Sequence, residues 1–101
     1  MPSQPVILIN VLKVEPANQQ TLVALLKQNT EAVIRTLHGW KATRLIAAQD
    51  GASVAIYSEW DSPADVDAMR ADPRMRAYFP KIAELATLDS MTGSAVFDEA
   101  R

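Results

Sequence analysis

Two side chains carry the chemistry this chain can offer. Asn10 interrupts the apolar run Ile9-Asn10-Val11, and Trp60 ends the run Tyr57-Ser58-Glu59-Trp60 just before Asp61-Ser62-Pro63. An amide can donate to an oxygen that gains negative charge. An indole can wall a flat ring and donate through its N–H. If the two runs are neighbouring strands, amide and indole share one pocket. Each also has a plainer reading. Asn10 would then be a satisfied polar residue at a strand irregularity, and Trp60 a core aromatic sealing a corner.

The usual catalytic groups are scarce. The chain has no cysteine, which removes thiolate nucleophiles, disulfides and thiolate metal sites together. Its single histidine, His38, stands beside Gly39 at a helix end, where capping or solvent exposure is the simpler role. No Ser-His-Asp set can be assembled around it. Asp65, Asp67 and Asp72 fall on different sides of a broken helix and do not converge as metal ligands.

Further residues are candidates by position. Ile56 and Ser58 alternate onto the face of Trp60 and would line the same pocket. Arg44 shares a strand face with Trp40 and Ile46. There it can hold a carboxylate or phenolate, or simply a salt bridge at the sheet edge. Tyr78 and Phe79 lie on a helix that would roof the pocket, one as core and the other touching a ligand. Met69 and Met75 read as core filling. Arg70, Arg74 and Arg76 read as a solvated helix face, offset by the neighbouring aspartates.

The elements that must position these residues follow from periodicity. Val6 to Val14 is short and rich in β-branched residues, hence a strand. Asn18 is a candidate cap for a helix whose stripe runs Leu22, Leu25, Leu26, Asn29, Val33 and Leu37. Gly39 is its natural stop. Trp40 to Ala48 and Ser53 to Trp60 are strands joined across Asp50-Gly51. Ser62-Pro63 and Asp72-Pro73 each combine a cap with a first-turn proline, so a helix starts, breaks and restarts. Pro80 should kink or restart the second piece. Ser94 to Phe97 is the candidate last strand.

The order β-α-β-β-α-β is an α+β, ferredoxin-like arrangement with an antiparallel sheet covered by helices on one face. The other face is also apolar, through Ile7, Ile9, Val11, Leu45, Ala47, Ala55 and Tyr57. An uncovered apolar face of that size implies a partner, so a homodimer packed sheet to sheet is expected.

Composition sets the outer limits. With 101 residues, 49% of them apolar, residues 1–101 fit one domain, its core spanning about 6–97. A formal net charge of −2 gives no electrostatic case for nucleic acid or an anionic membrane. No stretch approaches the roughly 20 apolar residues of a membrane span. The N-terminus has no basic region before an apolar run, and the lack of cysteine suits a reducing cytoplasm.

The chain resembles the antibiotic biosynthesis monooxygenase domain family, whose members form dimeric α+β barrels. The carriers are Ile9-Asn10-Val11-Leu12-Lys13-Val14, Ser58-Glu59-Trp60-Asp61-Ser62, and Ala71-Asp72-Pro73 with Tyr78-Phe79. Their order and spacing agree from about Val6 to Phe97. The resemblance implies a cofactor-independent monooxygenase of aromatic, polyphenolic, quinol- or anthrone-like small molecules, in which the deprotonated substrate reduces dioxygen directly. No metal, flavin or haem is then needed. It places Asn10 and Trp60 on the family's first-strand asparagine and third-strand tryptophan. Many active members carry an asparagine four residues before that tryptophan, where this chain has Ile56. Haem-degrading relatives need a histidine in the second helical region, and none lies between Pro63 and Thr87. A non-catalytic barrel that binds a small apolar or quinone-like ligand is the alternative, favoured by Ile56.

Overall fold

A computed structural model describes residues 5–101. Its elements are β1 (Val6–Val14), α1 (Gln19–Ala32), β2 (Trp40–Ala47), β3 (Ser53–Trp60), α2 (Pro63–Ala71), α3 (Pro73–Leu85) and β4 (Ala86–Gly93). The four strands form one sheet in the order β2-β3-β1-β4, and all three pairings are antiparallel. This is the ferredoxin-like α+β arrangement expected from the element order.

Local chemistry explains the boundaries. Ser62 caps α2 by accepting from the Asp65 amide at 3.3 Å, and Asp72 caps α3 by accepting from the Arg74 amide at 2.8 Å. A proline follows each cap, where no amide hydrogen is required. The β2–β3 turn uses Gly51 at φ +78°, a left-handed conformation that favours glycine. The buried Gln19 side chain ties this turn to α1 by donating to the carbonyls of Ala48 (3.0 Å) and Ser53 (3.1 Å).

Four boundaries differ from the sequence expectation. Asn18 makes no side-chain cap, because a 3₁₀ turn over Pro16–Asn18 already leads into α1. The helix stops at Ala32 rather than continuing to Leu37. Val33 leaves helical geometry at φ −125°, and a 3₁₀ turn, Ile34–Thr36, follows. α3 runs through Pro80 as one helix. The last strand is Ala86–Gly93 rather than Ser94–Phe97, since β4 follows α3 without a loop and pairs with β1 from Val14↔Ala86 to Ile7↔Gly93. Val96 and Phe97 are exposed instead.

The helix-covered core comes in two pieces. One gathers Val6, Leu8, Val33, Trp60, Val66, Met69 and Met75. The other gathers Leu12, Val14, Leu22, Leu26 and Val54. On β1 the division falls between Leu8 and Leu12, and the inward residue between them is Asn10. A polar amide is disfavoured among packed hydrocarbon, and the half-buried Asn10 lies at the level where the core parts. Space is left between sheet and helices there.

A bulge between Trp40 and Ala42 reverses the facing of β2. Trp40 pairs with the inward Trp60, but Arg44 then pairs with the outward Tyr57, and Leu45 with Ile56. Leu45 and Ala47 therefore face the helices, and Ile46 faces outward, the reverse of simple alternation. The outer face is apolar through Ile7, Ile9, Val11, Ile46, Ala55 and Met91. Of these, Val11, Ile46 and Met91 are 40%, 50% and 58% exposed.

Candidate functional site

The gap between the two core pieces is a cavity of about 780 Å³. That volume suits a ligand of a few fused rings. Leu8, Asn10, Ile56, Ser58 and Trp60 form its floor on the sheet. Asn29 on α1, Met69 and Arg70 on α2, and Phe79 on α3 line it from the helices, and Leu88 and Ser90 from β4.

Asn10 stands at the centre of the floor, opposite Ile56 on β3 and Ser90 on β4. Among the described residues its side-chain amide makes no hydrogen bond, so it can meet an occupant of the cavity it lines. The pocket shared by Asn10 and Trp60 thus exists. Trp60 takes part in it differently from the sequence expectation. Its indole N–H donates to Ser58 Oγ at 3.0 Å, and Ser58 Oγ donates to the Leu8 carbonyl at 3.3 Å. Trp60 is 1% and Ser58 4% exposed. The N–H is thus spent inside the sheet, and Trp60 offers the cavity apolar surface rather than a donor. Ser58 lines the wall but its hydroxyl is already committed in both directions.

Two other candidates lie elsewhere. Arg44 does not line the cavity, because the β2 bulge turns it to the outer face beside Tyr57. Its neighbour Thr43 lines the cavity instead and accepts from the Trp40 indole at 2.8 Å. Tyr78 packs against the Trp60 cluster under Lys81, whose Nζ lies 5.5 Å from the ring centroid. Phe79, 39% exposed, is the member of that pair that reaches the cavity.

Arg70 and Asn29 are among the lining residues that the sequence does not single out as functional. Arg70 was read as solvated. It is nevertheless the only titratable side chain on the cavity wall among the described residues. Its guanidinium reaches Ser90 Oγ at 3.5 Å and Asp67 at 3.9 Å, so it bridges α2 towards β4 beside the cavity. Asn29 was read as one more position of the α1 stripe. An asparagine in a leucine stripe was the signal that could have marked it.

Charge elsewhere is structural. His38 Nδ1 lies 2.8 Å from Asp65 Oδ1, and Asp65 also accepts from Ser62 Oγ. The carboxylate hydrogen bond raises the His38 pKa above 6.5, and the same bond, with that from Ser62, lowers Asp65 below 3.8. Gly39, at φ +82°, packs against the Asp65 side chain, and its carbonyl accepts from the Asp61 amide at 2.8 Å. On the outer face Tyr57 donates to Glu59 at 2.8 Å, which raises its phenol pKa above 10.0. Among the described residues no group of three histidine, aspartate or glutamate side chains could hold a metal ion. No helix among them is long and apolar enough to cross a membrane.

The site is a concave, largely apolar cavity under the helices of a ferredoxin-like α+β domain, of the kind that small molecules occupy. The comparisons narrow this class. The family model for antibiotic biosynthesis monooxygenase matches residues 5–81, and the chain belongs to that family. It is 40% identical over 72 residues to tetracenomycin-F1 monooxygenase of Streptomyces glaucescens, a match over 71% of this chain. The match spans 64% of the length of that relative. The fold resembles a monooxygenase from the gene ActVA-Orf6 of Streptomyces coelicolor, solved with nanaomycin D. The TM-score is 0.88 at 21% identity, over 97% of this chain and 93% of that one. It also resembles SnoaB, a cofactor-independent oxygenase from Streptomyces nogalater, at TM-score 0.80 and 18% identity, over 95% and 97% of the two chains.

Proposed function

We propose that this protein is a cofactor-independent monooxygenase of an aromatic, polyphenolic small molecule of quinol or anthrone type. The observation that carries this reading is the ring-sized, largely apolar cavity with the unpartnered Asn10 amide at its centre. The relationship to a tetracenomycin-F1 monooxygenase supports it. For an anthrone-like substrate the step is R₂CH₂ + O₂ → R₂C=O + H₂O. The deprotonated ring supplies the electrons, and one oxygen atom leaves as water. Among the described residues the cavity wall carries no carboxylate, histidine, lysine or tyrosine to remove a proton. The protein's part is therefore to hold the ring, exclude water and favour the anion. Asn10 donates to the developing oxyanion, and the Arg70 charge beside the cavity favours the same state. Trp60, Ile56 and Phe79 hold the ring by shape.

Two copies are proposed to pack through the outer sheet face. There the exposed Val11, Ile46 and Met91 sit in one apolar surface with Ile7 and Ile9. A reducing cytoplasmic setting suits a chain without cysteine.

The second reading is a non-catalytic barrel that binds a quinone-like ligand. It is favoured by Ile56, an apolar residue in register with Asn10, and by the indole N–H already held by Ser58. Oxygen uptake decides between them. Chelator-treated protein is incubated with anthrone or a hydroquinone. Uptake above the protein-free blank, and lowered by Asn10→Leu, is expected. A rate equal to the blank across several phenolic substrates, with binding retained, selects the non-catalytic barrel.

A further inference from the structure

The cavity lining divides by exposure. Its inner part is apolar and closed, with Leu8, Leu12, Leu26, Trp60, Met69 and Met75 all buried. The lining residues Arg70, Phe79, Leu88 and Ser90 are exposed, and they lie on α2, α3 and β4. The cavity therefore opens between these two helices and the β4 edge of the sheet. Polar groups gather at that opening. Ser90 is the cross-strand partner of Asn10, so the two side chains share the inner face at one level. Arg70 reaches over from α2, and its Nη2 donates to Ser90 Oγ at 3.5 Å. Deeper polar groups are committed or closed off. Thr43 accepts from the Trp40 indole, Ser58 is bonded on both sides, and Asn29 Oδ1 is fully buried.

Arg70 is held loosely. A guanidinium offers five N–H donors in a planar fork that matches a carboxylate. Its one hydrogen bond, to Ser90, is long, and Asp67, 78% exposed, lies 3.9 Å away. An exposed ion pair at that distance contributes little. A ligand anion at the mouth can take most of the fork without displacing a strong partner. The Ser90 hydroxyl accepts from Arg70 and keeps its own O–H to donate.

We infer that Arg70 is a specificity-determining residue that binds a carboxylate carried by the aromatic ligand, with Ser90 as a second donor. The rings then fill the apolar interior, and the acid group sits at the mouth between α2 and β4. The inference rests on the reading of the cavity as an aromatic site. It names the substrate class, a polycyclic phenol that bears a carboxylic acid. An unpaired carboxylate would oppose a further negative charge on the ring. Paired with Arg70 it opposes that charge less, so the ring anion forms beside a neutralised group.

Calorimetric titration with 2-naphthoate and 2-naphthamide at neutral pH tests this. The two probes share ring system and shape and differ in charge. Wild-type protein should bind the naphthoate about tenfold more tightly than the amide. Arg70→Gln should bring the two affinities close together while leaving the amide bound. Arg70→Lys keeps the charge without the fork and should keep part of the preference. Arg76→Gln, on α3 outside the cavity lining, should keep all of it. Equal wild-type affinities for the two probes would overturn the inference without any variant being needed. So would a naphthoate preference that survives Arg70→Gln, or one lost as fully in Arg76→Gln, which would mark a general surface charge. Those outcomes leave the aromatic site intact. Failure of wild-type protein to bind either probe would remove the aromatic reading itself, and the inference with it.

Discussion

If the Trp60 indole N–H is a structural donor, breaking its acceptor should destabilise the fold, and the effect should vanish when the donor is absent. Ser58→Ala removes the oxygen that receives the N–H at 3.0 Å. Trp60 is 1% exposed, so water cannot replace the lost partner. Leaving a buried donor unsatisfied costs about 1–3 kcal/mol. For a domain of this size each 1 kcal/mol shifts Tm by roughly 4–8 °C. Ser58→Ala alone should therefore lower Tm by roughly 4–24 °C. In a Trp60→Phe background no donor is left behind, and Ser58→Ala then loses only the longer bond to the Leu8 carbonyl, 3.3 Å. That is worth about 0.5 kcal/mol at the weak end of the usual range. The double-mutant cycle should give a coupling of about 1–2 kcal/mol. The assay is denaturant unfolding of the four proteins at one fixed protein concentration, since association shifts apparent stability. A coupling within about 0.3 kcal/mol of zero would refute the reasoning. It would mean that the indole N–H finds another acceptor and is available to a ligand after all.

Three further outcomes are expected. Light scattering should give a mass of twice the 11.1 kDa chain, and Ile46→Glu on the exposed outer face should shift it to a single chain; a monomeric wild type would remove the sheet-to-sheet partner. The His38–Asp65 pair should shape stability against pH. A histidine held above 6.5 contributes fully below that pH and loses its contribution as pH rises through the folded value. An aspartate held below 3.8 contributes above that pH and loses its contribution as pH falls through the folded value. The pair thus helps most between pH 3.8 and 6.5. His38→Gln should flatten the decline of Tm above that window, and an unchanged Tm-versus-pH curve would count against the pair. Finally, the cavity wall carries no general base among the described residues, so the pH inflection of oxygen uptake should track the pKa of each phenol in a substituted series. One inflection common to all substrates would instead reveal a titrating protein group.

The fold was legible because each element carries its own local signal. Ser62-Pro63 and Asp72-Pro73 announced both helix starts, and the alternation of β1 and β3 placed Asn10, Ile56, Ser58 and Trp60 on one face. What alternation could not show was the extra residue at the Trp40/Ala42 bulge. A bulge changes facing without changing composition, and it sent Arg44 outward and Leu45 inward. The end of α1 was hidden for a similar reason, since Val33 and Leu37 fit a helical stripe whether or not the helix continues. β4 was misplaced because it is an edge strand with few buried side chains, and its pattern is correspondingly weak. Burial is a property of the assembled layers, which explains why Tyr78 and Phe79 could be paired but not assigned. Arg70 and Asn29 were visible as residue types, but their meaning depends on a cavity no local pattern encodes.

That cavity follows from one choice at the middle of β1. With leucine at position 10, Leu8 and Leu12 would bracket a third apolar side chain, and the two core clusters could close over Ile56 as one. Asparagine there prevents closure, because its amide needs a partner that neither Ile56 nor the packed helices supply. The same conflict recurs on the other side at Asn29, between Leu26 and Val33. Asn29 buries its Oδ1 without a partner, at a cost in stability, whereas Asn10 is half-buried, and both line the same space. Cores tolerate hydrophobic substitution readily, so an amide at position 10 is most simply explained where an occupant meets it. The local failure of the apolar pattern is thus the part of the sequence that speaks about function, and Trp60 serves it by keeping the corner rigid.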